Sequence, residues 1–105
     1  MIQFATVKTV KQTAEYRKWY KRLSDFKTKA RIDVRIQRLA MGYAGDMKAI
    51  DGNVKELRFH FGPGYRVYYT ERYGEIVILL AGGDKSTQPS DIKKAIALCA
   101  SIMEE

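Results

Sequence analysis

The chain has 105 residues and a mass of 12.1 kDa, which predicts a single domain over residues 1–105 able to fold without staples. With 46% hydrophobic and 30% charged residues it reads as globular, and its one cysteine, Cys99, excludes an internal disulfide framework or a cysteine-rich zinc site. Nineteen Lys and Arg against 12 Asp and Glu give +7, a balance that attracts polyanions where it is concentrated.

The longest apolar run, Ile76 to Ala81, falls far short of the roughly 18 residues a membrane span needs. Met1-Ile2-Gln3-Phe4 has no charged-then-apolar signal region, so a cytoplasmic protein with no membrane partner is expected. Residues 1–40 carry 11 basic and 3 acidic residues, whereas residues 41–105 carry 8 and 9. The positive charge therefore belongs to the first 40 residues. It is either a polyanion-binding surface or a solvated helix face.

In chain order, residues 2–8 mix Ile2, Phe4 and Val7 with polar neighbours and predict a short strand. Tyr16, Trp19, Tyr20 and Leu23 follow the i, i+3, i+4, i+7 spacing of a helix with its aromatic residues in the core. Asp25 is placed to cap a second helix that carries Ile32, Ile36 and Leu39 inward and ends at Met41-Gly42. In that helix Arg31, Arg35 and Arg38 point outward or lie at the edge. Gly45-Asp46 and Asp51-Gly52-Asn53 are turns around a short strand or ordered loop at Met47 to Ile50.

Residues 56–61 then alternate strictly, with Leu57, Phe59 and Phe61 on one side and Glu56, Arg58 and His60 on the other. Gly62-Pro63-Gly64 predicts a hairpin connection to a return strand at Tyr65 to Glu71. Ile76 to Leu80 is apolar on both faces and so predicts an interior strand. A last helix from Pro89-Ser90 is expected to bury Ile92, Ile96, Cys99 and Met103. The fold class is α+β: an N-terminal strand, a helical hairpin and a C-terminal helix on a small, mostly antiparallel sheet.

The hairpin carries the candidate chemistry. Its polar face would show Arg58, His60, Arg66 and Tyr68 together, and closely set guanidinium groups suit an anion such as a phosphodiester. The alternative is a solvent-exposed face with Arg58 or Arg66 paired to Glu56 or Glu71. Gly82-Gly83-Asp84-Lys85-Ser86 ends like a phosphate-binding loop. It carries Asp84 where that motif needs glycine, so nucleotide hydrolysis is excluded. Lys85 remains as a cation beside the hairpin, or as an ordinary exposed lysine. His60 is the only histidine and can build neither a zinc site nor a two-histidine ribonuclease. Asp91 lies in the first turn of the last helix, where a carboxylate suits the helix dipole. Tyr65, Tyr68, Tyr69 and Tyr73 are candidates for stacking RNA bases.

Several motifs occur together and in order. They are Ala30-Arg31-Ile32, Arg35-Ile36 and Arg38-Leu39; Gly45-Asp46-Met47-Lys48; Val54 to Arg58; Gly62-Pro63-Gly64-Tyr65-Arg66-Val67-Tyr68-Tyr69; and Leu79 to Lys85, with Gln88 and Asp91-Ile92 after them. Across nearly the whole chain this pattern resembles the RelE/ParE toxin superfamily of bacterial type II toxin–antitoxin modules, and within it the HigB-like, phage-derived addiction-module killers.

The resemblance implies a helical hairpin on a compact antiparallel sheet and a cognate antitoxin as partner. It further implies either a ribosome-dependent mRNA endoribonuclease or, as in the ParE type, a toxin that inhibits DNA gyrase by binding. Carried over by position, Arg66 would contact the scissile phosphate and Lys85 would be a second phosphate-stabilising cation. Arg58 and Lys48 would lie near further basic positions. Asp91 would stand where other members have a C-terminal tyrosine; His60, placed on the same polar face by alternation, is a further catalytic candidate. The basic helices, with Lys27, Lys29, Arg31, Arg35 and Arg38, would anchor the toxin on ribosomal RNA. The implied chemistry is attack by the RNA 2′-hydroxyl, with no metal and no small-molecule cofactor.

Overall fold

The computed structural model describes residues 7–103. The expected strand at residues 2–8 lies mostly outside that range. Within it Val7 and Lys8 are not in a strand, and the first strand, β1, is Thr9–Gln12.

Helix α1, Ala14–Arg22, starts where the Thr13 hydroxyl accepts the Tyr16 N–H at 3.1 Å. Its aromatic stripe sinks unevenly: Tyr16 is fully buried, while Trp19, Tyr20 and Leu23 are half-buried. Helix α2, Phe26–Ala40, starts at Asp25, whose carboxylate accepts the Lys27 N–H at 3.1 Å and the Thr28 hydroxyl at 2.9 Å. Ile32, Ile36 and Leu39 are buried, as their spacing requires. The helix stops at Gly42, whose φ of +97° suits a residue without Cβ, and the Tyr43 N–H returns to the Arg38 carbonyl at 2.8 Å.

Strands β2 (Met47–Ala49), β3 (Lys55–Arg58), β4 (Arg66–Arg72) and β5 (Ile76–Gly83) complete a five-stranded sheet in the order β1-β5-β4-β3-β2. Among the described residues only the β1–β5 pair is parallel. Strand β5 is interior and buried on both faces, as its unbroken apolar run predicts. Helix α3, Gln88–Met103, follows a 3₁₀ turn at Lys85–Thr87.

The sheet has a core on each side. The helical hairpin packs Tyr16, Ile32, Ile36 and Leu39 against Leu57, Val67, Tyr69 and Leu79. On the other side α3 packs Ala95 and Cys99 against Tyr68, Ile78 and Leu80. Ile96 departs from the expected stripe and is exposed, because the buried line of α3 runs through Asp91, Ala95 and Cys99. Strand β3 is also shorter than the alternation suggested. The ladder with β4 ends at Arg58; the Phe59 N–H still reaches the Tyr65 carbonyl at 3.0 Å, and His60 and Phe61 lead into the Gly62-Pro63-Gly64 turn.

Candidate functional site

The polar face of the β3–β4 hairpin is not one open surface. Helix α3 lies over half of it, and Glu56, Arg66 and Tyr68 are buried there. Arg66 Nη1 donates to the carbonyls of Gly64 and Tyr65, each at 3.0 Å. Its Nε faces the Glu56 carboxylate at 3.8 Å, too long for a hydrogen bond but close enough for direct charge attraction. The other Glu56 oxygen accepts the Gln88 amide of α3 at 2.8 Å. Burial, with the Glu56 carboxylate close by, raises the Tyr68 phenol above its ordinary pKa. Pairing of Arg66 with Glu56 was one of the two sequence expectations; exposure of that pair was the error. Gln88 and α3, remote in sequence, supply the lid. Arg66 as placed holds the hairpin loop and does not face solvent.

The other half of the hairpin is open. Arg58 and His60 leave the cover of α3 and converge on Asp46, at the start of β2. Arg58 Nη2 lies 3.3 Å from Asp46 Oδ1, and His60 Nε2 is hydrogen-bonded to Asp46 Oδ2. The His60 bond, helped by the Arg58 charge, holds the Asp46 carboxyl below its ordinary pKa. Asp46 therefore stays ionised and accepts. An ionised carboxylate can only accept, so the Nε2–H is the donor in this bond. Sequence reasoning missed this role of Asp46 and took Gly45-Asp46 as a turn. The signal was the β2–β3 pairing of Met47 with Leu57, which continues to bring Asp46 opposite Arg58.

Lys85 joins this region from β5. A cleft of about 320 Å³ is lined by Phe59, His60, Phe61, the Gly62-Pro63-Gly64 turn and Lys85. The Lys85 stem crosses Gly64 so closely that a Cβ there would lie 2.9 Å from Lys85 Cγ, and Gly64 also has φ +78°. Glycine is needed on both counts. The Gly82-Gly83 pair serves close approach as well: added Cβ atoms would run into the Trp19 ring and the Asp91 carboxylate. Asp84, instead of cradling phosphate, caps the turn after β5 by accepting the Ser86 N–H at 2.8 Å. Asp91 is buried, accepts the Thr87 hydroxyl and lines a different cleft, beside Trp19 and Gly83.

The basic residues of α2 divide in the same way. Arg35 was expected outward or at the edge, yet it is half-buried and donates to the carbonyls of Arg58, Ala44 and Asp46 at 2.9–3.2 Å. Burial lowers its pKa from the ordinary guanidinium value. It pins α2 to the end of the sheet. Lys29 lies over the Tyr20 ring at 5.3 Å, while Lys27 and Lys48 are exposed elsewhere, on the first turn of α2 and on β2. Arg31 and Arg38 are exposed and line a cavity of about 390 Å³ that also includes Phe59, His60 and Phe61. The four candidate stacking tyrosines do not assemble: Tyr68 and Tyr69 are buried on opposite faces, Tyr65 is half-buried and Tyr73 is exposed at the far β4–β5 turn.

A basic helical hairpin and a C-terminal helix on the two faces of a five-stranded sheet, with a cleft holding Lys85 and His60 at the β3–β4 turn, make a small α+β domain. Residues 18–101 match the family described as phage-derived protein Gp49-like (DUF891), and the chain belongs to that family, a member of the RelE/HigB-like toxin superfamily. A Haemophilus influenzae protein described as uncharacterized is 44% identical over 93 residues, which cover 89% of this chain and 94% of that protein. No solved structure matches. Among the described residues no helix is long and apolar enough to cross a membrane.

Proposed function

We propose that this protein is the toxin of a type II toxin–antitoxin module and cleaves mRNA on the ribosome, with His60, Asp46, Arg58 and Lys85 as its working groups. Family membership supports the toxin role and an antitoxin as partner. The observation that carries the nuclease reading is the His60–Asp46 pair, open to solvent and set between Arg58 and Lys85. His60 Nδ1 takes the proton from an RNA 2′-hydroxyl. The 2′-oxygen bonds to phosphorus, and the bond from phosphorus to the 5′-oxygen breaks. That oxygen takes a proton from water, leaving a 2′,3′-cyclic phosphate and a 5′-hydroxyl. Asp46 fixes the imidazole tautomer and steadies the imidazolium that forms. Arg58 and Lys85 stabilise the dianionic phosphorane. Arg66 acts as a positioning residue, holding the carbonyls of the hairpin that presents His60.

The test is mapping of mRNA ends in a reconstituted translation reaction with and without ribosomes. New ends confined to translated message are expected. His60→Ala should lower the rate by about 10²–10⁴-fold, with a stability change within about 0.5 kcal/mol because the ring is exposed. Intact message under every condition would overturn the reading in favour of gyrase inhibition, which a supercoiling assay would then show.

A further inference from the structure

We infer that the cavity between α2 and the Phe59–Phe61 segment seats one purine nucleotide of a single-stranded RNA, its base stacked on the paired Arg31 and Phe61 side chains. This rests on the proposed nuclease reading and names what that site holds next to the cut. At about 390 Å³ the cavity lies within the range of small-ligand sites. Its walls are of two kinds. Ala30, Val34, Phe59 and Phe61 give an apolar lining, and Arg31, Arg35, Arg38 and His60 give a basic one, with no acidic side chain among the lining residues.

The Arg31 guanidinium carbon lies over the Phe61 ring, 3.7 Å from its centroid. Phe61 is itself held by Tyr65 at 5.5 Å and Phe59 at 6.1 Å between centroids. The platform is therefore fixed before any ligand arrives, which lowers the ordering cost of binding. Arg31 is exposed, so a planar base can extend the stack by one layer, as RNA bases do on arginine planes and aromatic rings. Arg35 is occupied by three carbonyls and forms a wall over Phe59 at 4.7 Å, whereas Arg38 is exposed at the rim and can meet a phosphate. His60 lines both this cavity and the Lys85 cleft. A base seated here thus leaves its neighbouring phosphate at the His60–Lys85 side. The larger stacking plane of a purine favours it over a pyrimidine.

The probes are 5′-AMP, 5′-UMP, ribose 5-phosphate and a short purine RNA blocked by 2′-O-methyl groups. Binding is followed by calorimetry and by amide chemical shifts on the full chain. AMP should bind about tenfold or more tighter than ribose 5-phosphate and tighter than UMP. Shifts should centre on Ala30, Val34 and Phe61, and the blocked RNA should bind tighter than AMP. Phe61→Leu and Arg31→Gln should each remove most of the gain from the base and leave the ribose 5-phosphate affinity within about twofold. Thermal midpoints establish that at least one of the two variants is folded.

Equal binding of AMP and ribose 5-phosphate, shifts centred elsewhere, or full AMP affinity in a folded variant would overturn the inference. AMP binding as tightly as the RNA would also overturn it, in favour of a free-nucleotide site. The two readings fail separately. Base-dependent binding without message cleavage removes the nuclease and keeps the site, whereas cleavage without Phe61-dependent binding does the reverse.

Discussion

Glu56–Arg66 and Asp46–Arg58–His60 are built from the same kinds of group and share one stretch of hairpin. Glu56, Arg58 and His60 even follow each other at every second position. The first pair is sealed under α3, with Arg66 bonded to loop carbonyls and Glu56 to Gln88. The second is open, with the His60 side chain 67% exposed. A buried charge pair has only each other and fixed dipoles to lean on, so it holds structure. An exposed pair beside a cationic cleft can meet a substrate and exchange a proton with it. The difference lies in coverage by a helix more than twenty residues away in sequence, and not in the side chains themselves.

Breaking the sealed pair should have the largest effect. Glu56→Gln or Arg66→Ala leaves one buried charge alone and should cost about 3–5 kcal/mol in urea unfolding. Replacing both by apolar residues of similar volume should recover most of that loss. Message cleavage by Arg66→Ala then tracks the fraction folded, in contrast to His60→Ala, which loses cleavage while staying folded. A cleavage loss in Arg66→Ala without any loss of stability would show that Arg66 works directly in the open site.

Gly64→Ala should come next, because it tests the seam between the two regions. The left-handed backbone alone costs roughly 1–2 kcal/mol for a residue with Cβ. The clash with Lys85 Cγ adds to this and should displace Lys85 from the cleft, lowering cleavage further than the stability change predicts.

The smallest effect concerns acid. The Asp46 pKa is lowered in the fold, so its contribution is present above the ordinary carboxylate pKa of about 4 and fades as pH falls through the lower folded value. Asp46→Asn should flatten that part of the acid unfolding curve. Because Asp46 is solvated, the difference between the two curves should be slight, but its sign is fixed.

Much of the fold was legible locally. The 3.6-residue stripes of α1 and α2, the Asp25 cap, the Gly42 stop and the two-sided apolar run of β5 each express a short-range rule, and each stands in the structure. Alternation in residues 56–61 correctly sorted Leu57 and Phe59 from Glu56 and Arg58. It could not say that the polar side would be covered, because nothing in β3 encodes the arrival of α3. The same limit applies to Ile96, whose exposure follows from which face α3 turns to the sheet, and to Arg35, whose carbonyl partners lie 9 to 23 residues on.

The sequence by itself determined a basic α+β chain, its helices and strands, the Gly-Pro-Gly hairpin and the superfamily it resembles. These depend on residue spacing and backbone preference within a few turns or strand positions. Only the tertiary structure decided that Arg66 is internal, that Asp46 is the partner of His60, and that Arg31 lies over Phe61 while the tyrosines stay apart. Charge becomes structural or chemical according to its access to water, and that access is set by packing between segments far apart in the chain.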